Sequence, residues 1–330
     1  MKKTLAALGL VAVATLALAG CTDSGAAPES SGSSTGDAGS GELTPVRVAA
    51  LPIAETGALW AAIDAGIFEE HGLDVEVVPA QGGAQAIPAL LSGDIDFAIG
   101  QPMGPIRASL QDLGVVIFSN YASSLAEGTD VNSVVASADS GIASPADLAG
   151  KRVSVNSIGA AGDLTIRKAV DDAGGDSSTI EFVEVAFPDV QAQLEAGNID
   201  AGWAPDPFRG LIVNGGGVDV VSPYQATIPG LTVLTNFTTQ EKIDSDPELV
   251  TAYAEAMTEA LEYASSNEDA VRAAIVTNLE IPEAAAAAIT LPDFTPDLAD
   301  AGIEDLAALA VEYDYIDAEP DFDTLIQPQS

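Results

Sequence analysis

The side chains that carry most protein chemistry are scarce in this chain, which has one histidine, His71, and one cysteine, Cys21. One cysteine cannot close an internal disulfide, and this pair leaves neither a Cys/His zinc site nor a Ser-His-Asp triad easy to assemble. His71, between acidic Glu70 and Gly72, reads as a surface residue at a helix end. Asp94 and Asp96 come without a third convergent ligand and read as local caps. Glu312, Asp314, Asp317, Glu319, Asp321 and Asp323 lack the central glycine and the spacing of a calcium loop and read as a solvated acidic tail. The run Gly159, Ala160, Ala161, Gly162 is not followed by GK[ST], so it is no phosphate loop. No catalytic residue, metal or cofactor is expected. Fifty acidic residues against eleven Lys plus Arg give a formal charge of −39, which excludes a phosphate-neutralising face and with it nucleic acid.

The most specific motif is at the start. Lys2 and Lys3 precede an apolar run over 4–18, too short for a comfortable membrane span, and the string LAGC at 18–21 resembles the bacterial lipobox. The sole cysteine stands where that motif is lipidated. The reading is a signal peptide over 1–20, a lipidated Cys21, and a Ser/Gly-rich tether over 21–45 that reaches roughly 25–30 Å. It places the protein outside the cytoplasm on the outer face of the bacterial cell membrane, held by the lipid anchor alone.

The remaining chain, 47% hydrophobic overall, is long enough for two lobes. Short β-branched runs at 46–51, 74–78, 96–100, 115–119, 133–137, 152–156, 180–185, 201–204, 218–221 and 232–236 predict strands. Helical spacing separates many of them, at 57–65, 84–92, 105–113, 145–149, 161–173 and 189–196. Such alternation implies α/β architecture with mostly parallel sheets flanked by helices. Beyond 244 strand signals stop, and helices are expected at 247–264, 267–276, 282–289 and 303–311.

Three strings occur in order: GALWAAIDAGIFEEHGLDVEVVPAQGGAQAIPALLSGDIDFAIG, then SGIASPADLAGKRVSVNSIGAAGD, then LEAGNIDAGWAPDPF. Together they resemble the substrate-binding proteins of nitrate/sulfonate/taurine-type ABC importers, with relatives that bind thiamine-pyrimidine precursors. The resemblance implies the two-lobe periplasmic-binding-protein fold of type II, hinged so that the lobes close on a ligand. Lobe one is expected over 46–136 and 230–330 and lobe two over 137–229. It also implies a small organic solute as ligand, a permease and an ATPase on other chains as partners, a monomeric receptor, and no catalysis.

In open α/β sheets ligands bind at the carboxyl ends of the strands, which selects the loops at 54–59, 81–84, 100–104, 157–163, 186–189 and 204–207. Three of them open helices, at Glu55, Gly82 and Gly159, so that free N–H groups could face a ligand. The candidate ligand-binding residues are Glu55, Thr56, Gly57, Trp60, Gln81, Gly82, Gly83, Gln101, Ser157, Gly159, Ala160, Phe187, Asp189, Trp203 and Asp206. Trp60 either packs in the first lobe or lines the cleft; Trp203 is expected as a cleft wall, with Asp206 accepting a ligand hydrogen bond. These loops hold no Lys or Arg, the nearest being Arg107 and Arg209. Their carboxylates favour a neutral or amine-bearing ligand, such as a pyrimidine or an aminosulfonate, unless the acids point to solvent. A second class stays open, an enzyme of the pyrimidine-synthesis type on the same fold.

Overall fold

A computed structural model describes residues 42–298 and 302–329. The expected signal peptide, Cys21 and nearly all of the tether lie outside the described residues. The strands are β1 (Thr44–Ala50), β2 (Leu73–Pro79), β3 (Phe97–Gly100), β4 (Val115–Ser123), β5 (Asn132–Ala136), β6 (Arg152–Val155), β7 (Glu181–Glu184), β8 (Ala201–Pro205), β9 (Val218–Val221), β10 (Thr232–Thr239) and β11 (Asp293–Phe294). The helices are α1 (Gly57–Asp64), α2 (Ile67–Glu70), α3 (Gly83–Ser92), α4 (Met103–Ser109), α5 (Ala161–Asp172), α6 (Val190–Glu195) and α7 (Phe208–Asn214). They continue with α8 (Pro223–Thr227), α9 (Gln240–Ser245), α10 (Pro247–Ser266), α11 (Glu268–Leu279), α12 (Glu283–Ala287), α13 (Ile303–Glu312) and α14 (Phe322–Leu325). The helix expected at 145–149 is a 3-10 turn, Pro145–Leu148.

The strands form a six-stranded sheet, β11-β4-β10-β3-β1-β2, and a five-stranded sheet, β7-β6-β8-β5-β9. Pairing is parallel for β1 with β2 and β3, and for β6 with β7 and β8, as helical crossovers require. It is antiparallel where β10 meets β3 and β4 and where β5 meets β8 and β9. The expected mostly parallel sheets are therefore mixed. Both β5 and β10 arrive by a crossing from the other sheet, so no βαβ connection dictates their direction. The chain leaves the first sheet after Ser123 and returns to it at Thr232, and β5 thus pairs in the second sheet ahead of the boundary expected at 136/137.

A third passage involves the C-terminal part. Helices α10 and α11 pack on α1, and β11 extends the first sheet along β4. Helix α13 then lies against α5, which follows a strand of the second sheet, while α14 packs on α4 and β4. Ile326 bridges to Ile117, and Gln327 N–H donates to Ile117 O at 2.9 Å. In the first sheet's core, Tyr253 of α10 stacks on Phe97 with ring centres 3.9 Å apart.

The position of α3 is fixed by a close backbone approach. A Cβ on Gly100 would lie 2.5 Å from Gly83 Cα, and one on Gly104 would lie 2.9 Å from Ala84 N. Only glycine lets the start of α3, the end of β3 and the start of α4 meet so closely.

Candidate functional site

Two adjoining cavities lie between the loops of the two sheets. The first is lined from one side by Gly82, Gly83, Ala84, Gln101, Met103, Gly104 and Arg107, and from the other by Asn156, Ser157, Ile158, Gly159 and Ala160. The second is largely apolar, lined by Leu51, Pro52, Ile53, Ala80, Gln81, Ala186, Phe187, Pro188 and Phe208, and Asn156 belongs to both. Asn156 Nδ2 donates to Gln81 O at 2.9 Å, a direct bond between the two sides.

Of the three helix starts expected to present free N–H groups, only that of α3 does so at a cavity. Its first N–H groups have no intrahelical partner, and Gly83 and Ala84 line the first cavity. The start of α5 is already satisfied: Asp163 Oδ2 and Oδ1 accept the N–H groups of Gly159 and Ala160, each at 2.8 Å. The start of α1 is taken up as well, with Ala54 N–H donating to Asp206 O at 3.2 Å and Leu59 N–H to the Tyr121 hydroxyl at 2.9 Å.

Several expected residues have other work. A Cβ on Gly57 would meet Ile275 and Val271 of α11 at 2.8 Å, so this glycine serves helix packing. Thr56 is buried, its hydroxyl donating to Leu51 O. Trp60 is buried in the hydrophobic core and lines neither cavity. Asp189 is exposed, as the first turn of α6 turns it to solvent. Trp203 is 3% exposed and packs against Phe187 and Tyr224, with Nε1–H donating to Asn132 Oδ1 at 2.9 Å; its indole is core rather than cleft wall. Both oxygens of Asp206 are engaged within the protein. Oδ1 accepts from Gly210 N–H at 3.0 Å, and Oδ2 accepts from Thr290 N–H at 3.3 Å beside Arg209 at 3.7 Å.

Arg107 was expected just outside the loops and lines the first cavity instead. It sits near the C-terminal end of α4, and helical Cα–Cβ bonds tilt toward the N-terminus, so a long side chain reaches back over the preceding loop. Arg47 and Lys242 pair with Asp96, and Arg209 with Asp206 and Asp219. Arg107 forms no ion pair with a carboxylate among the described residues, and only Nη2 is hydrogen bonded, to Tyr315 O at 3.3 Å. Beside it, Gln101 Oε1 and Asn156 Oδ1 are buried without partners.

A second polar group gathers residues of the two crossing segments with Glu55 of the β1–α1 loop. Glu55 Oε2, Ser124 Oγ, Asp130 Oδ2, Asn132 Nδ2 and Tyr224 Oη are buried and bonded to nothing. Burial pushes the Glu55 carboxyl well above the usual range, and the charges of Asp206 and Asp130 push it the same way. Burial likewise raises Tyr224, with Glu55, Asp163 and Asp130 adding to it. Glu55 therefore holds its proton to higher pH in the folded protein than in the unfolded chain, which releases it above the ordinary pKa of 4.5. Stability from this group is complete below that pH and falls as pH rises, by at most about 1.4 kcal/mol per pH unit. Glu55→Gln should flatten the decline in unfolding free energy measured by urea titration from about pH 5 to about pH 8. Superimposable profiles would remove Glu55 from the account.

Among the described residues no cluster of His, Cys, Asp and Glu could hold a metal ion, and no helix is long and apolar enough to cross a membrane. His71 Nε2 lies 2.9 Å from Glu259 Oε2, and His71 lines neither cavity.

Comparison with known proteins gives three kinds of likeness. The sequence profile of the family described as NMT1/THI5 like matches residues 54–271. The formylaminopyrimidine-binding protein of Halalkalibacterium halodurans is 26% identical over 223 residues, which span 67% of this chain and 66% of that protein. The alkanesulfonate-binding protein SsuA from Xanthomonas axonopodis pv. citri, bound to MOPS, superposes with a TM-score of 0.73 at 15% identity, covering 88% of this chain and 100% of that one. The desulfurization enzyme DSZB superposes at 0.66 with 17% identity, covering 86% and 96%. At these identities the two structures establish the shared fold, that of type II periplasmic binding proteins.

Proposed function

Since the chain belongs to the NMT1/THI5 like family, we propose that it is an extracytoplasmic receptor of an ABC importer, capturing a small organic anion between its lobes. The observation that carries this reading is Arg107, a guanidinium without a carboxylate partner, facing the start of α3 across one small cavity. Both supply N–H donors and positive potential, which suits a sulfonate, a carboxylate or a phosphate ester. The adjoining apolar cavity with Phe187 and Phe208 accommodates a hydrocarbon or aromatic body. Asn156 and Gln101 leave acceptor oxygens for a hydroxyl or amine on the same solute.

The loop carboxylates expected to favour a neutral or amine-bearing ligand give that reading little support, because Asp163 and Asp206 are bonded internally and Asp189 faces solvent. One observation does favour the alternative of an amine-bearing pyrimidine. The unpartnered atoms of Glu55, Asp130, Asn132 and Tyr224 offer donors and acceptors to such a ring, and the Halalkalibacterium relative is named for binding a formylaminopyrimidine. A catalytic role has less support, since the sole histidine lines neither cavity.

Thermal shift with p-toluenesulfonate, taurine, nitrate and 4-aminopyrimidine separates the readings. A ligand at a hundred times its Kd adds about 2.7 kcal/mol to folding stability. Stabilisation by the sulfonate supports the anion reading, stabilisation by the aminopyrimidine alone supports the alternative, and turnover of any of them would point to the enzyme class.

The partners under this reading are a permease and an ATPase on other chains, with a lipid on Cys21 as the membrane attachment and the receptor a monomer. The lobes are taken as the parts carrying the two sheets. Cys21→Ser should release the protein from membranes and leave folding and affinity unchanged, because roughly 25–30 Å of Ser/Gly tether separates the anchor from the folded body. Fractionation that found the variant fully membrane-bound would refute the anchor.

A further inference from the structure

The segment between α13 and α14 links the two sides of the cleft. Tyr313 Oη donates to Asp171 Oδ2 at 2.9 Å, Tyr315 Oη donates to Asp163 Oδ2 at 2.6 Å, and Arg167 Nε donates to Tyr315 Oη at 3.1 Å. Asp163, Arg167 and Asp171 all belong to α5, so the segment is fastened to the second sheet's side along that helix. Past it, the chain is fastened to the first sheet's side through α14 and the Gln327–Ile117 bond.

Arg107 enters this junction from the first side. Its Nη2 donates to Tyr315 O, and its guanidinium carbon lies 5.9 Å from the Tyr315 ring centre. Its Nη1 and Nη2 lie 2.6 and 2.8 Å from where a Cβ of Gly159 would be, at a glycine with φ +79°. The guanidinium thus fills a notch formed by Gly159 and Tyr315. Motion that widens the cleft must draw it out, because Gly159 and the Tyr315 anchors move with α5 while Arg107 moves with α4.

We propose that Tyr315 is a positioning residue, a latch that holds Arg107 in the notch and the lobes closed, so that solute contact with the remaining guanidinium N–H groups and lobe closure reinforce each other. The coupling to solute rests on the anion reading above. The latch itself does not.

The test uses the full chain with Cys21→Ser and spin labels on cysteines replacing the exposed Gln85 of α3 and Glu195 of α6. Tyr315→Phe keeps the ring and the main-chain carbonyl and removes the hydroxyl anchor. It should lengthen the label-to-label distance without probe and speed dissociation of p-toluenesulfonate about tenfold or more, as expected for one charge-assisted hydrogen bond, with a smaller change in association rate. Arg107→Lys keeps the charge but cannot fill the notch and should lengthen the distance likewise, which preserves the test if Tyr315→Phe fails to fold. Distance distributions in the folded variants that superimpose on the unsubstituted protein would overturn the latch. If the unsubstituted protein fails to bind p-toluenesulfonate while the distances lengthen, the latch stands and the anion reading fails.

Discussion

Arg107→Gln is expected to weaken binding of p-toluenesulfonate by roughly 10- to 150-fold, since hydrogen bonds to a charged group are worth about 1.5–3 kcal/mol. The change removes the positive charge but keeps a side chain of similar reach, so the cavity is not simply emptied. Binding of 4-aminopyrimidine should be nearly unaffected, because the unpartnered atoms suited to it lie around Glu55 and Tyr224. Isothermal titration of both compounds against both proteins reads this directly, and equal sulfonate affinities would withdraw Arg107 from the site. Ionic strength supplies a second readout. The formal charge of −39 repels an anion at long range, whereas the Arg107 contact acts at bond distance. Screening over a Debye length of about 8–10 Å should therefore speed anion association as salt rises while leaving dissociation nearly constant. An anion drawn in by a broadly positive surface would associate more slowly in salt.

How far the sequence reaches depends on the range of the interaction that decides each feature. Strands β1 to β10 lie where alternating or continuous β-branched runs put them, and Gly72 and Gly93 end their helices with positive φ as expected of C-caps. Strand direction in β5 and β10 was not legible, since it follows from a crossing between sheets that no local pattern encodes. Helices α2, α7, α8, α9 and α14 are short and held by their neighbours, with too few turns for a periodic signal. The two-residue β11 exists only through its pairing with β4.

In the cleft the loops were legible and the roles of their side chains less so. Gly82, Gly83, Gln101, Ser157, Gly159 and Ala160 line one cavity, and Gln81 and Phe187 the other. Asp206 looks like a ligand acceptor in sequence because a carboxylate near a helix start serves equally well as a cap, and one of its actual partners, Thr290, is remote in the chain. Arg107 falls outside the loops bounded by sequence position, whereas its side chain on α4 reaches back beyond its own position. A rule that counts the first two turns of each following helix as part of the loop would have included it.

Trp203→Ala should act on the empty protein, in contrast to a change at Arg107. The indole is 3% exposed, 5.5 Å centre to centre from Phe187 and 5.6 Å from Tyr224, and a Cβ on Gly162 would fall 2.7 Å from its ring. Gly162 is the second residue of α5, so the close approach of that helix to β8 depends on the flat ring lying against a residue without a side chain. Truncation leaves a void that neither α5 nor β8 can fill without unpairing, and it strips Asn132 Oδ1 of its donor. Removal of a buried aromatic of this kind costs about 3–5 kcal/mol. At roughly 2–4 °C per kcal/mol for a protein approaching this size, the melting temperature of the solute-free protein should fall by about 6–20 °C. Affinity measured well below the new transition should change far less, because Trp203 lines neither cavity. A variant that melts like the unsubstituted protein but has lost its ligand would restore the indole to the cleft wall.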